Sequence, residues 1–190
     1  TVPVTVAHSC MDATSGLAIG CPPAQELTQE GSAISSTAKT TRDIAGNSAT
    51  SNVVTVKIDR TFPTIVPRYT SQPNNNGWYN HDVVIEFDCA DAVSGIQPGD
   101  CPISLTLSDE GANVTRTVPV HDVAGLQSTT TVVVNIDKTA PVITSIPLPT
   151  TVLLNGQYTV TPVANGPISG VVSAACTPLD TQTVGQKTVT

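Results

Sequence analysis

Apolar and polar residues alternate over several short stretches of the chain. Between Val83 and Cys89 the odd-numbered positions are apolar, and Glu86 and Asp88 lie between them. A period of two places alternate side chains on opposite faces of a strand, so this segment predicts a half-buried β-strand. Similar patterns predict three more strands, whose apolar residues are Ile103, Leu105 and Leu107; Val114, Val118 and Val120; and Val132, Val134 and Ile136. The segment around Trp78-Tyr79 is expected to form a fifth strand. Short strands separated by turn residues are typical of a β-sandwich.

Four sequence landmarks occur twice, in the same order and at a nearly constant offset along the chain. The matched pairs are Cys10–Gly16 with Cys89–Gly95, Glu30-Gly31 with Glu110-Gly111, Asp43–Gly46 with Asp122–Gly125, and Ile58–Pro63 with Ile136–Pro141. A fixed period of this kind indicates tandem structural repeats. The repeats predict three modules: residues 1–60, incomplete at the N-terminal end; residues 61–139, complete; and residues 140–190, a variant incomplete at the C-terminal end.

The composition favours strands and argues against two classes of partner. Charged residues are 12% of the chain and aromatic residues 3%, while 15 prolines and 13 glycines are spread along it. Frequent turn residues between Val- and Thr-rich segments suit short strands better than helices. The formal net charge of −7 disfavours nucleic-acid binding, because an acidic surface repels phosphate. The sequence has no apolar stretch of about 18 residues, the length that a membrane span requires.

The cysteines indicate the compartment. Cys10 and Cys21 form one close pair in the sequence, and Cys89 and Cys101 form another at the matching place of the next repeat. Free buried thiols are the alternative, but pairs that recur with the repeat favour two disulfides. Disulfides form outside the cytosol, so an extracellular or cell-surface location is expected. Cys176 has no partner in this scheme and is expected to be free or bonded between chains.

At these motifs the chain resembles the bacterial immunoglobulin-like repeats of secreted and cell-surface proteins. The resemblance lies in the C-x-D-x-x-S-G loop, the D-x-A-G-N turn that ends at Asn47, and the I-D-[KR]-T-x-P junction. It implies tandem immunoglobulin-like β-sandwiches arranged as a rod. The second module departs from the pattern at Leu126, where the turn usually has Asn, and the third departs at Val160, which takes the place of the first cysteine.

Candidate chemistry is sparse. The turn residues Asp43, Gly46, Asp122 and Gly125 are expected to be structural, since Asp accepts amide hydrogen bonds and Gly adopts positive φ. His121-Asp122 lacks the nucleophile context of a hydrolase, so no catalytic residue is predicted. No metal or other cofactor is expected. Calcium is the alternative, with the junction residues Asp59 and Asp137 as the first candidates, because Asp12, Asp43, Asp59, Asp91, Asp122 and Asp137 recur at matching points.

The function predicted from these observations is structural and non-catalytic: a spacer in an extracellular surface protein, adhesin, stalk or filament. Its expected partners are the neighbouring repeats of the same chain, and other copies in a fibre or a surface glycan or protein are further candidates. The alternative is a glycan- or protein-binding accessory module of a secreted enzyme, in which Trp78 and Tyr79 stack on sugar rings. A lone Trp in a sandwich is more often part of the core.

Overall fold

The fold is described from a computed structural model, in which residues 3–147, 152–176, 178 and 181–183 are described. These residues form 13 β-strands and no helix: β1 Val4–Val6, β2 Gln25–Leu27, β3 Gly31–Ser35, β4 Thr40–Arg42, β5 Ser48–Thr50, β6 Thr55–Ile58, β7 Thr64–Tyr69, β8 Val83–Ala90, β9 Ser104–Leu107, β10 Gly111–His121, β11 Gln127–Ile136, β12 Val142–Ser145 and β13 Val163–Asn165. The predicted all-β class is therefore confirmed. No helix in this part of the chain could cross a membrane.

The chain divides into two compact units, of which the first comprises Thr1–Pro67, Phe87–Ile103 and Val118–Thr130. Three antiparallel pairs lie in its N-terminal segment: β1 with β2, β3 with β6, and β4 with β5. Its buried apolar residues are few: Leu27, Ile58, Phe87 and Val120. Such a thin core explains why disulfides and polar turns contribute much of the local order.

The second unit comprises Arg68–Glu86, Ser104–Thr117 and Thr131–Thr190. Strands β8 and β9 pair antiparallel here, with Val83 opposite Leu107 and Ile85 opposite Leu105. Strands β12 and β13 form a separate antiparallel pair. The core of this unit consists of Tyr79, Val83, Ile85, Leu107, Val132, Val134, Ile136 and Val160. The units do not coincide with the sequence repeats, and the module boundaries stay a prediction.

The alternation pattern predicted four of the 13 described strands, β8 to β11, at the correct places. In β8, Val83, Ile85 and Phe87 are buried and the residues between them are not, as the period of two predicts. Strands β10 and β11 also lie where their apolar sets placed them. Ile103 was assigned wrongly, since it precedes β9 and is 89% exposed. It follows Pro102, which has no amide hydrogen to give to a strand ladder.

The fifth expected strand is also wrong. Tyr79 makes only an isolated parallel bridge to Ile136, through hydrogen bonds from its own amide to the Asn135 carbonyl and from the Asp137 amide to its carbonyl, each 2.9 Å. The preceding residues turn on Asn74, whose side chain accepts hydrogen bonds from the amides of Asn76 and Trp78, both at 3.0 Å. A turn immediately before Tyr79 leaves no room for a longer ladder.

Candidate functional site

The repeated cysteine loop has the same hydrogen bonds in both repeats. In the first repeat, Asp12 Oδ1 accepts hydrogen bonds from the amides of Thr14, Ser15 and Gly16 at 3.2, 2.7 and 2.7 Å. In the second, Asp91 Oδ1 accepts them from the amides of Val93, Ser94 and Gly95 at 3.1, 2.9 and 2.8 Å. One carboxylate oxygen thus holds three successive amides and fixes the loop.

The geometry of the second repeated turn also matches between the repeats. Asp43 Oδ1 accepts a hydrogen bond from the Asn47 amide at 2.7 Å, and Asp122 Oδ1 accepts one from the Leu126 amide at 2.8 Å. Gly46 and Gly125 close the turns at φ of 97° and 86°. A residue with a Cβ is strained in this left-handed region, which explains the glycine at both places.

In each repeat the loop and the turn are held together. The Ile44 amide donates to the Gly16 carbonyl at 3.0 Å, and the Val123 amide donates to the Gly95 carbonyl at 2.9 Å. These contacts place the Asp of the loop near the Asp of the turn. Two landmarks that are far apart in the sequence are therefore parts of one structural element.

The junction aspartates connect this element to the preceding repeat. Asp59 Oδ1 accepts a hydrogen bond from the Thr61 amide at 2.9 Å, and its Oδ2 accepts one from the Ser94 amide, also at 2.9 Å. Asp137 has the same arrangement, with Thr139 at 3.0 Å and Ser169 at 2.9 Å. Ser169 thus corresponds to Ser94. Ala164, five residues before Ser169, then takes the place of Cys89, so the assignment of that place to Val160 was wrong.

Three carboxylates meet at the first of these junctions. One oxygen from each of Asp59, Asp91 and Asp122 lies within 4.8 Å of the other two, and all three residues belong to the first compact unit. Asp59 and Asp91 share the Ser94 amide as a donor, which brings their oxygens together. Asp122 is fully buried. Within the described part of the chain, none of the three forms a salt bridge that would offset their mutual repulsion.

The two turn aspartates differ at their second oxygen. Asp43 Oδ2 accepts a hydrogen bond from the side-chain amide of Asn47 at 2.8 Å. Leu126 stands at the equivalent place in the second repeat and has no side-chain donor, so the buried Asp122 Oδ2 has no hydrogen-bond partner. Asp91 Oδ2 is also buried without a partner. The departure from the repeat pattern at Leu126 therefore leaves an unsatisfied oxygen in the cluster.

Local hydrogen bonds keep the loop aspartates ionised. Burial raises the pKa of Asp91, but the amides of Gly95, Val93 and Ser94 outweigh it and leave that pKa below its usual range. The Gly16 and Ser15 amides likewise lower the pKa of Asp12. A cluster in which burial would favour protonation thus contains a carboxylate that is held in its charged form.

The structure contains both predicted disulfides, Cys10–Cys21 with Cα atoms 5.4 Å apart and Cys89–Cys101 with Cα atoms 6.0 Å apart. Cys176 is a free, half-buried thiol. Each bridge closes the loop that carries an aspartate and a glycine of the turn network. The bridges therefore act on the same element as the carboxylates, by restricting the loop that presents Asp12 or Asp91.

The aromatic candidates do not form an exposed pair. Tyr79 is 6% exposed, and its hydroxyl donates to the Ser71 carbonyl at 3.4 Å, whereas Trp78 is half-buried. A sugar ring stacks on an accessible aromatic face, which Tyr79 does not offer. Trp78 alone remains a candidate for glycan stacking.

Two of the three histidines, His81 and His121, have structural partners that the sequence did not reveal. His121 Nδ1 lies 2.8 Å from Asp100 Oδ2, and not against its neighbour Asp122. The hydrogen bond from the His121 side chain lowers the pKa of Asp100. His81 lies 3.2 Å from Ser71 Oγ, but this imidazole is exposed to water, where a hydroxyl gains little activation. His8 is half-buried, and its buried Nε2 has no hydrogen-bond partner in the described part of the chain.

Asp137, the second residue considered for calcium, is placed differently from Asp59. Hydrogen bonds from the side chain and amide of Ser169 lower its pKa. Among the described residues, however, no cluster of three metal-ligating side chains includes Asp137. In this part of the chain, only the Asp59 junction brings three such side chains together.

Comparison of the chain with protein-family models, curated proteins and solved structures gave no match.

Proposed function

We propose that this chain is a non-catalytic structural region of an extracellular surface protein, adhesin, stalk or filament, built from tandem immunoglobulin-like β-sandwich modules that act as spacers. The observation that carries the proposal is that the backbone-amide hydrogen bonds of the loop, the turn and the junction recur in successive repeats. A catalytic site needs its polar groups free to act on a substrate, whereas here the same aspartates recur and each uses a carboxylate oxygen to hold backbone amides. Asp12 and Asp91, for example, each hold three amides.

The disulfides support the extracellular part of the proposal. Both repeats contain a bridge at the same place, and bridges of this kind persist in oxidising compartments. A thin apolar core in the first unit makes such bridges valuable, because few buried side chains stabilise it. A structural protein outside the cell also benefits from resistance to unfolding under load.

Single-molecule pulling of the full chain tests the spacer role. Independent modules should unfold in discrete force steps, and reduction should lengthen the step of the second module. The Cys89–Cys101 bridge withholds 12 residues, and subtracting the 6.0 Å between their Cα atoms leaves a gain of about 35 Å at about 3.4 Å per residue. The Cys89→Ser/Cys101→Ser variant should show the longer step without reductant. Smooth extension without force steps would contradict a load-bearing role.

A glycan array distinguishes the accessory-module alternative. The spacer proposal predicts no saturable binding. Saturable binding that Trp78→Ala removes and Phe62→Ala leaves intact would favour the alternative, since Trp78 is half-buried and Phe62 is an aromatic residue that is 58% exposed. Phe62 thus controls for the loss of a surface aromatic side chain.

A further inference from the structure

We propose that Asp59, Asp91 and Asp122 form a calcium site at the junction between the first and second repeats. The inference does not depend on the proposed function. It rests on two independent observations: three carboxylate oxygens within 4.8 Å of one another, and a fully buried Asp122 whose Oδ2 lacks any hydrogen-bond partner.

The unsatisfied oxygens are the stronger observation. The turn requires only one carboxylate oxygen, which accepts a hydrogen bond from the backbone amide four residues later. Asp122 Oδ1 does this by accepting a hydrogen bond from the Leu126 amide at 2.8 Å. Its Oδ2 and the Oδ2 of Asp91 are both buried without a donor. Buried charged oxygens require a compensating partner, and a cation shared by neighbouring carboxylates provides one.

The first repeat supplies an internal comparison. Asp43 and Asp12 occupy the same turn and loop, but Asn47 donates to Asp43 Oδ2 at 2.8 Å. The second repeat has Leu126 in place of that donor, and the junction gives it Asp59 as an additional neighbour. An oxygen satisfied by an amide in one repeat is thus available to a cation in the next.

The chemistry of the donors selects calcium. Three carboxylates offer hard oxygen ligands and three negative charges, which suit Ca²⁺ or Mg²⁺ and not a soft metal. Two oxygens on one ion lie at most twice the metal–oxygen distance apart, about 4.6–5.2 Å for Ca²⁺ and about 4.0–4.2 Å for Mg²⁺. Ca²⁺, the larger ion with the more flexible coordination, is therefore easier to accommodate among three oxygens that lie within 4.8 Å of one another.

The surroundings leave room for the remaining ligands. A cavity of about 290 Å³ lies beside the cluster and is lined by Asp59, Val93, Ser94 and Val123, though by neither Asp91 nor Asp122. Ca²⁺ takes six to eight oxygens, so water would complete its coordination from this side. Lys57 lines the same cavity, but it makes no salt bridge with the cluster in the described part of the chain.

The test is calcium-dependent stability of the full chain. After EDTA treatment and dialysis, chemical denaturation is measured in EDTA and in 10 mM CaCl₂, and binding is measured by calorimetry. Extracellular modules bind Ca²⁺ with Kd of about 10⁻⁴–10⁻³ M. At a Kd of about 0.1 mM, 10 mM CaCl₂ should lower the unfolding equilibrium constant about 100-fold, with one ion bound per chain. MgCl₂ should have a smaller effect.

Matched variants localise the effect. Asp122→Asn keeps an acceptor for the Leu126 amide and removes charge, so it should abolish the calcium response, which is measured relative to the stability of the same variant in EDTA. Asp43→Asn, at the same position of the first repeat, should respond like the parent protein. Should Asp122→Asn fail to fold, amide chemical shifts of Ser94 and Gly95 in the parent protein answer the question, because calcium must move them.

Each outcome decides the proposal. No calcium response in the parent protein up to 10 mM overturns it. An Asp122→Asn variant that retains the full response, or calcium shifts in the parent that leave Ser94 and Gly95 unmoved, overturns it as well. A response lost in Asp122→Asn and retained in Asp43→Asn supports it.

Discussion

Removal of the Cys89–Cys101 disulfide should destabilise the protein by an amount that its loop length sets. The bridge joins residues 12 apart. In the chain-entropy model a loop of this size restricts the unfolded chain by about 3 kcal/mol at 25 °C. The double variant Cys89→Ser/Cys101→Ser should therefore raise the unfolding equilibrium constant about 150-fold, since about 1.4 kcal/mol is a factor of ten. The native contacts of the loop are otherwise unchanged, because Asp91 still holds its three amides.

Urea denaturation followed by circular dichroism measures this loss. With a slope of about 1–3 kcal/mol per molar urea, a loss of about 3 kcal/mol lowers the midpoint by about 1–3 M. The Cys10→Ser/Cys21→Ser variant should lose a similar amount, because its loop is only one residue shorter. Cys176→Ser serves as the control, since it removes a thiol that forms no bridge.

The parent protein in reductant provides an independent check, because it should match a variant that lacks both bridges. A Cys89→Ser/Cys101→Ser midpoint equal to that of the parent would refute the reasoning. It would mean that the loop is ordered in the unfolded state or that the turn network alone determines its entropy. Alkylation of the non-reduced, denatured protein should label one thiol, and labelling of five would contradict the disulfides and the expected location together.

Two further predictions concern the turns and the response to acid. Gly46→Ala should destabilise the protein by about 1–2 kcal/mol in thermal or urea denaturation, because φ at this position is 97°. No atom lies within 4 Å of the added Cβ, so backbone strain is the whole cost. Gly20→Ala is the control: it is equally uncrowded but has no positive φ, and it should cost nothing. The hydrogen bond from His121 lowers the pKa of Asp100 below the unfolded value of 3.8. The ionised Asp100 therefore contributes its full stabilisation of the folded state above pH 3.8, and this stabilisation is lost as the pH falls through the folded-state pKa. Asp100→Asn should consequently lose less stability than the parent between pH 7 and pH 3, and an equal loss would contradict the assignment.

Local patterns predicted four of the strands, β8 to β11, because burial on one face imposes a period of two. The pattern of β8 is nearly complete in sequence, and its alternate burial follows directly. The alternation rule failed at Ile103, because an apolar residue beside a proline need not enter a strand ladder. It also failed at Tyr79, because the turn on Asn74 limits the pairing of Tyr79 to one bridge. The strand β7 Thr64–Tyr69 was not predicted; Pro67 lies inside it, and proline normally argues against a strand.

The candidate site shows a different limit. Repeat matching identified Asp59, Asp91 and Asp122 one by one, and the disulfides followed from the recurring spacing. The proximity of the three aspartates could not be found in this way, because it depends on the Ser94 amide, which donates to Asp59 from the neighbouring repeat. The pairing of Asp100 with His121 is similarly long-range, and the first repeat has no histidine at the matching place. Periodicity reveals what repeats share, and it is silent about contacts between them.

The calcium proposal and the repeat pattern together suggest how a chain of similar modules acquires distinct junctions. The loop and the turn each use one carboxylate oxygen for backbone amides, which leaves the second oxygen free to vary in its partner. In the first repeat, Asn47 donates a hydrogen bond to the second oxygen of Asp43. In the second repeat, Leu126 has no such donor, so the second oxygen of Asp122 has no partner, and Asp59 adds a third carboxylate. A single Leu126→Asn substitution should supply the missing donor to Asp122 and weaken the calcium response without removing a carboxylate. The residue four positions after the turn aspartate would thus determine whether a junction is satisfied internally or by a cation.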